Sequence, residues 1–301
     1  MADVAIQTVA ADTVDGLGLP ATPFVFHGEA IDERGLKALA ACKGAATRMV
    51  NLSYDVDSMR LGIDDSSVGT DNCEKAFYEF EEGPWVFEAT TLGFAELFCG
   101  IRSAIEMRRQ RFDIIYTEPL DYSKVGPNEF ALTDLLTGYK PIPPAIVDLS
   151  SPDVEAGVFF LGFEPERLDR ALEEYQMIAD KNVKVMFGLP AFQTGWELYS
   201  IVPHLQTLKE RAGFQIGYCA ANDPEAAFEA LELTRATLLP DQKMFVAPIG
   251  TKPCGIASAL FASIYPAQVG LLYDHPQRRP KRTEGVNMWH RFSVTVVPSQ
   301  G

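Results

Sequence analysis

Residues 244–258 read Met-Phe-Val-Ala-Pro-Ile-Gly-Thr-Lys-Pro-Cys-Gly-Ile-Ala-Ser, and this stretch decides the fold that the sequence predicts. The residues before Gly250 are apolar, which is the pattern of a buried strand in a parallel sheet. Gly250, Thr251 and Lys252 interrupt the apolar run, and a helix rich in small residues is predicted from Gly255 to Ser263. The stretch therefore predicts a strand, a tight turn and a helix in succession.

A turn of this kind suits the binding of an anion. The backbone amides at the start of a helix and the positive end of its dipole point to one spot. Thr251 adds a hydroxyl group, and Lys252 adds a mobile positive charge. The alternative is an ordinary turn between a strand and a helix, with a solvated lysine. The sequence of the segment favours neither interpretation over the other.

The same succession of strand and helix extends over most of the chain. From Trp85 onward, short apolar runs alternate with segments of helical spacing. This alternation predicts an α/β fold with a doubly wound, mostly parallel, Rossmann-like sheet and helices on both faces. We assign residues 83–301 to the Rossmann-like domain, with a loop insert at about 125–151, and residues 1–82 to an N-terminal α/β extension.

Local patterns add four expectations. Residues 1–20 are polar and contain glycine, so we expect a loose arm. Asp32 to Lys43 is predicted to be a helix with Asp32 as its N-cap. Phe77–Phe80 is predicted to be an edge strand. The insert is predicted to be a long excursion or a short β-hairpin.

Composition and charge exclude several classes of function. The chain has 301 residues and a formal net charge of −15, which argues against non-specific binding to a nucleic-acid duplex but leaves room for a small nucleotide in a local positive pocket. The five cysteines are widely spaced and form no Cys-x-x-Cys pair, so we expect reduced thiols, no zinc site and a cytoplasmic protein. No apolar run reaches membrane-spanning length, and no pattern requires a metal or another cofactor.

Polar residues that follow the predicted strands are the candidate ligand-binding residues, because ligands of open α/β sheets bind beyond the carboxyl ends of the strands. Two turns there, Thr90–Gly93 and Gly250–Lys252, lack acidic residues and carry hydroxyl groups, and the basic run Arg278–Arg282 suits a phosphate clamp. We expect both turns on one edge of one sheet. The alternative for the basic run is a solvated surface loop. The candidates are Thr90, Thr91, Gly93, Gly250, Thr251, Lys252, Arg278 and Arg279.

Catalytic residues are not marked by any motif. The chain has no Gly-x-Ser-x-Gly elbow, no Gly-x-Gly-x-x-Gly fingerprint and no P-loop signature. Among the four histidines, His275 is the best candidate because it follows a predicted strand beside Asp274. Lys252 is a further candidate, because a cation at its position would stabilise negative charge that develops on phosphorus.

The segment 246–253, Val-Ala-Pro-Ile-Gly-Thr-Lys-Pro, resembles the Gly-Thr-Lys motif of CARF domains, the CRISPR-associated Rossmann-fold sensors. Residues 90–93, Thr-Thr-Leu-Gly, resemble the hydroxyl-bearing motif after the first strand in that family. The resemblance implies a homodimer that binds a cyclic oligonucleotide across its two-fold axis, in antiviral defence. It also implies that Thr91, Gly250, Thr251 and Lys252 touch the ligand. The chain departs from the family in lacking a HEPN Arg-x-x-x-x-His motif.

Three functional hypotheses follow. The first is a nucleotide-binding sensor of prokaryotic antiviral defence, with a small nucleotide as ligand. The second is an enzyme that acts on a phosphorylated or nucleotide substrate through Asp274, His275 and the basic run, or a ring nuclease that uses Lys252. The third is a non-catalytic subunit of a defence complex, in which the two turns are purely structural.

Overall fold

A computed structural model of the protein describes residues 2–21, 23–126, 129–130, 132–211 and 213–298. By contacts between its residues, the chain divides into two compact units. Unit 1 comprises Met1–Ser123 and Arg278–Gly301, and unit 2 comprises Lys124–Gln277. The boundary predicted between residues 82 and 83 falls inside unit 1.

The secondary-structure elements alternate along most of the chain. The strands are β1 Ala2–Ala11, β2 Phe24–His27, β3 Arg48–Asp55, β4 Arg60–Ile63, β5 Ser66–Gly69, β6 Trp85–Glu88, β7 Arg111–Tyr122, β8 Lys124–Gly126, β9 Glu129–Phe130, β10 Thr133–Leu136, β11 Val154–Phe160, β12 Asn182–Gly188, β13 Gln215–Cys219, β14 Lys243–Pro248, β15 Val269–Leu271, β16 Pro276–Arg278 and β17 Thr283–Pro298. The α-helices are α1 Glu33–Lys43, α2 Phe94–Glu106, α3 Pro165–Glu174, α4 Trp196–Glu210, α5 Pro224–Arg235 and α6 Lys252–Ile264. Segments of 3-10 helix cover Val14–Leu17, Thr70–Phe80 and Gln176–Asp180.

Unit 1 is built on an eight-stranded sheet in the order β1-β17-β7-β6-β2-β3-β4-β5. Strands β7, β6, β2 and β3 run parallel, whereas the pairings of β1 with β17, β17 with β7, β3 with β4 and β4 with β5 are antiparallel. β1 pairs with β17 along its whole length, from Ala2 opposite Pro298 to Ala11 opposite Trp289. The loose arm predicted for residues 1–20 is therefore wrong for β1, which forms one edge of the sheet.

The parallel part of this sheet contains a point at which the winding of the chain reverses. From β2 the chain passes through α1 to β3, which is the neighbour of β2 on one side. From β6, the neighbour of β2 on the other side, it passes through α2 to β7. The carboxyl ends of β2 and β6 therefore lie at the kind of position where α/β sheets bind ligands.

Unit 2 is built on a five-stranded sheet in the order β13-β12-β11-β14-β15, and all of its pairings are parallel. Its first strand, β11, lies in the middle. The chain adds β12 and β13 on one side and then β14 and β15 on the other, so the winding reverses between β11 and β14. Helix α3 contacts α4, and α5 contacts α6.

The predicted fold class is wrong for the chain as a whole. Among the described residues, most strands belong to a large mixed sheet or to a separate parallel sheet rather than to one mostly parallel, doubly wound sheet, and β8-β9 and β10-β16 form two-stranded sheets. The reason is that apolar periodicity identifies strands but does not identify their partners. The units β6-α2-β7 and β11-α3-β12 have the same local pattern, yet they belong to different sheets because the long β17 returns to pair with β7.

The core of unit 1 explains two outcomes for the local predictions. Phe77–Phe80 is not a strand, because Cys73, Phe77 and Phe80 are buried at helical spacing in the segment Thr70–Phe80. Phe77 and Phe80 pack around Phe26, at ring distances of 5.1 and 5.3 Å. The predicted helix with Asp32 as its N-cap is confirmed: the Asp32 carboxylate accepts a hydrogen bond from the Gly35 amide.

The insert predicted at about 125–151 contains short strands rather than one irregular excursion. β8 and β9 pair antiparallel, and β10 pairs with β16. The carboxylate of Glu164 accepts hydrogen bonds from the amide of Leu132 and the hydroxyl of Thr133, which ties this region to the loop after β11. Pro127, Asn128 and Ala131 lie outside the described residues.

Candidate functional site

The turn Gly250–Lys252 lies at the carboxyl edge of the sheet of unit 2. It follows β14 after one residue, Ile249, and leads into α6, whose N-cap is Thr251 and whose first residue is Lys252. β14 pairs with β11, and the winding reverses between these two strands. Ligands of α/β sheets bind at the crevice outside such a reversal. The turn therefore occupies the position where a ligand of unit 2 is expected.

Close backbone packing at this reversal requires glycine. A Cβ on Gly250 would lie 3.0 Å from the carbonyl oxygen of Phe160 and 2.9 Å from that of Leu161. A Cβ on Gly162, in the loop after β11, would lie 3.1 Å from the carbonyl oxygen of Ile249. A larger residue at Gly250 would push the two loops apart, so glycine there holds the turn against β11.

The hydroxyl group of Thr251 already has a partner inside unit 2. The Thr251 hydroxyl donates to the carbonyl oxygen of Ala221 at 2.8 Å and lies 3.2 Å from Sγ of Cys254. While it donates to Ala221, its hydrogen cannot serve a phosphate oxygen, which only accepts. Pro253, the second residue of α6, has no amide hydrogen. An anion here would thus depend on the remaining amides and on Lys252, which is partly exposed.

Asp274, proposed above as a catalytic residue, is engaged in a buried ion pair. Its side chain is fully buried, and its two oxygens accept hydrogen bonds from Nε and Nη2 of Arg167 at 2.7 and 2.5 Å. Arg167 also donates to the carbonyl oxygen of Ile249 at 2.9 Å, and Asp274 holds the pKa of this arginine above its usual range although burial lowers it. The pair therefore anchors the residue that precedes the turn.

His275 is also held by the interior of unit 2. It is 7% exposed, and its Nε2 lies 3.1 Å from the carbonyl oxygen of Lys140. Burial lowers the pKa of His275, so the neutral imidazole is favoured. Its backbone φ of 44° lies in the left-handed region, which is uncommon for a residue with a side chain. Asp274 and His275 are thus adjacent in the chain but engaged by different partners.

The turn Thr90–Gly93 lies at the carboxyl edge of the sheet of unit 1. It is organised by Glu88, a fully buried residue whose carboxylate accepts hydrogen bonds from the amides of Thr90 and Thr91, each at 2.9 Å, and from the Thr91 hydroxyl at 2.5 Å. The hydroxyls accept in turn: that of Thr91 from the Gly28 amide and that of Thr90 from the Thr117 amide. Both hydroxyls therefore serve the fold of unit 1.

Gly93 and Arg278 complete this turn. Gly93 is the N-cap of α2, where a Cβ would collide with the carboxylate of Glu96. Arg278 donates from Nη2 to the carbonyl oxygen of Thr91 at 2.7 Å, so the basic run reaches the turn. Arg279 is exposed.

The prediction that both turns lie on one edge of one sheet is wrong. Thr90, Thr91 and Gly93 follow β6 in the mixed sheet of unit 1, and Gly250, Thr251 and Lys252 follow β14 in the parallel sheet of unit 2. Each turn follows a strand and precedes a helix, as predicted. The strands were wrongly expected to belong to the same sheet.

Sequence reasoning missed two groups of functional interest. One is Arg167, which the helical pattern of 165–174 does not distinguish from a surface arginine. The other is the association of Arg34, on α1, with Arg282, which belongs to the basic run. The basic run was visible in the sequence. Nothing in the sequence indicated that Arg34, 248 positions before Arg282, would lie near it.

Comparison with known proteins gives no family. No protein-family model matches the chain, and no curated protein matches it in sequence. Among the described residues, no helix has both the length and the apolar character that a membrane span requires. Over the same residues, no group of three or more His, Cys, Asp and Glu side chains is placed to hold a metal ion.

Proposed function

We propose that the protein binds a small nucleotide at the turn Gly250–Lys252 of unit 2. The observation that carries this proposal is the position of the turn, which lies one residue beyond the end of β14 at the reversal of winding between β11 and β14. Lys252 supplies a positive charge at the start of a 13-residue helix, whose dipole adds to it. Phosphate groups are the part of a nucleotide that such a turn would hold.

The finer proposal is a cyclic oligonucleotide bound by a homodimer in prokaryotic antiviral defence. Its support is the likeness of Gly250-Thr251-Lys252 to the CARF motif. The second element of that likeness, Thr90-Thr91, belongs to the other unit, so the Gly-Thr-Lys turn carries the proposal alone. An enzyme that uses Asp274 has less support, because Arg167 occupies both carboxylate oxygens.

Thermal unfolding with a panel of cyclic and linear nucleotides tests the proposal. A ligand at 100 times its Kd should add about 2.7 kcal/mol to the free energy of unfolding. Lys252→Ala should abolish that gain. Lys209→Ala, which removes an exposed lysine from α4, is the matched control and should keep it.

Three outcomes have different meanings. Full nucleotide binding by the Lys252→Ala variant would refute the proposed site. The absence of any stabilisation across the panel would refute nucleotide binding itself. Analysis of the bound nucleotide after incubation separates a sensor, which returns it intact, from a ring nuclease, which returns a linear product.

A further inference from the structure

Three arginines of unit 1 converge beyond the carboxyl ends of its parallel strands. Arg34 comes from the first turn of α1, and Arg278 and Arg282 come from the basic run before β17. Arg34 is 4% exposed and donates from Nη1 to the carbonyl oxygen of Thr117 at 2.7 Å. Arg278 donates from Nη2 to the carbonyl oxygen of Thr91. Helix α1, the turn after β6, strand β7 and the basic run thus meet at one place.

Arg282 lies close enough to Arg34 and to Arg278 for their positive charges to repel its own. Burial and the neighbouring charges of Arg34 and Arg278 lower the pKa of Arg282 to about 10. Asp32 is an acid that acts on both Arg34 and Arg282. Its Oδ2 lies 3.9 Å from Nη2 of Arg34, which is too long for a hydrogen bond, and accepts instead from the Thr283 hydroxyl at 2.5 Å. Asp32 therefore compensates the cluster only in part.

The other buried carboxylates nearby are bound by other donors. Glu88 accepts from the turn Thr90–Thr91, as described above. Glu118 accepts from the side-chain amide of Asn287 at 2.7 Å and pairs with Nε2 of His290 at 3.0 Å. Their hydrogen-bonding capacity is directed at these partners rather than at the three arginines.

Two N–H groups in the cluster have no acceptor among the described residues. Nε of Arg34 and Nε of Arg282 are both buried, and neither has a hydrogen-bond partner among the described residues. Burial of a charged group with an unsatisfied donor is unfavourable, because the lost hydration is not replaced. The fold keeps this arrangement beside the reversal of winding between β2 and β6, which is where an α/β sheet binds a ligand.

We propose that Arg34, Arg278 and Arg282 form a binding site for a phosphate-class oxyanion in unit 1. Guanidinium groups bind such anions in a bidentate manner, and several of them around one anion match its several oxygens. Arg278 and Arg282 are only partly buried, which leaves the cluster accessible from one side. The anion is inorganic phosphate or the phosphate end of an ester. The site is independent of the turn proposed above to bind a nucleotide in unit 2.

Isothermal titration of the whole protein with inorganic phosphate tests this site. We expect the wild type to bind phosphate and Arg282→Gln to bind it at least tenfold more weakly. Arg60→Gln, which removes an exposed arginine of β4, is the control and should bind as the wild type does. The unliganded Arg282→Gln variant should unfold at the same temperature as the wild type or higher, because the change removes an uncompensated charge. A purely structural Arg282 would lower that temperature.

A second variant keeps the test valid if Arg282→Gln does not fold. Arg278→Gln removes a partly exposed side chain and should also weaken phosphate binding at least tenfold. The proposal is overturned if the wild type binds no phosphate, or if a folded variant of either arginine binds it as the wild type does.

The source of the phosphate is decided in the Lys252→Ala background, which removes the proposed nucleotide site. If the Lys252→Ala variant binds adenosine 5′-monophosphate at least as tightly as inorganic phosphate, the ligand of the site is a phosphate ester. If it binds adenosine 5′-monophosphate more weakly, the ligand is the free phosphate ion. Phosphate binding in this background together with loss of the response to the nucleotide panel would establish two separate sites. If the wild type binds phosphate but none of the nucleotides, the phosphate site of unit 1 is supported and the nucleotide site of unit 2 is refuted.

Discussion

Replacing Asp274 by asparagine distinguishes a structural carboxylate from a catalytic one. The side chain is fully buried, and both its oxygens accept hydrogen bonds from Arg167, which is itself only 7% exposed. Asparagine has nearly the same shape but no charge, and its amide group places a donor against the donors of Arg167. The variant therefore leaves a buried guanidinium group without its counter-charge.

The expected loss of stability is large. Removal of one partner of a buried ion pair costs about 3–5 kcal/mol, because the other charge stays in the interior without compensation. That is a large part of the roughly 5–15 kcal/mol by which a domain is stable. Since 1 kcal/mol shifts the melting temperature of a domain of this size by about 2–4 °C, we expect a decrease of about 6–20 °C.

Urea unfolding followed by circular dichroism measures the loss of free energy, and thermal unfolding measures the decrease in melting temperature. Asp153→Asn is the control, because Asp153 pairs with Lys243 at the surface of the same unit, and its loss should be far smaller. If Asp274→Asn is as stable as the wild type, the ion pair does not hold the end of β14 and the reasoning is wrong. A stable Asp274→Asn protein that loses an enzymatic activity would restore Asp274 as a catalytic candidate.

Three further changes test other contacts. Gly250→Ala should destabilise the protein by about 1–3 kcal/mol, because its Cβ would lie 2.9 Å from the carbonyl oxygen of Leu161; unchanged urea unfolding would contradict this. Thr91→Val removes a hydrogen bond to the buried Glu88 and should cost about 1–3 kcal/mol in the same assay, whereas a neutral result would mean that the turn relaxes. Burial lowers the pKa of His204 below its usual 6.5, so the unfolded state binds more protons at low pH. The free energy of unfolding should therefore fall as the pH drops below about 6.5, and this fall should be smaller in His204→Gln. Identical pH profiles of the two proteins would contradict the role given to His204.

The local pattern of the chain was readable because it depends on neighbouring residues. The apolar run before Gly250 forms β14, and the helix predicted from Gly255 to Ser263 is part of α6, which begins three residues earlier, at Lys252. The same holds for α1 and its cap at Asp32, because a capping side chain acts on amides within its own first turn.

The roles of the polar residues were less readable, because hydrogen-bond partners come from distant parts of the chain. Thr90 and Thr91 look like ligand-binding hydroxyls, yet one accepts from Thr117 and the other is engaged by Glu88 and Gly28. A hydroxyl group in a turn has the same sequence signature whether a ligand or the backbone uses it.

The sequence by itself determined the strand, turn and helix around Gly250 and the helix capped by Asp32, since apolar spacing, glycines and capping side chains act over a few residues. Only the tertiary structure decided that β7 and β14 belong to different sheets, and that Arg34 meets Arg282. The physical reason is that strand pairing and charge clustering are set by contacts between distant segments. The energy of such a contact depends on both partners, and a pattern read along one segment contains only one of them.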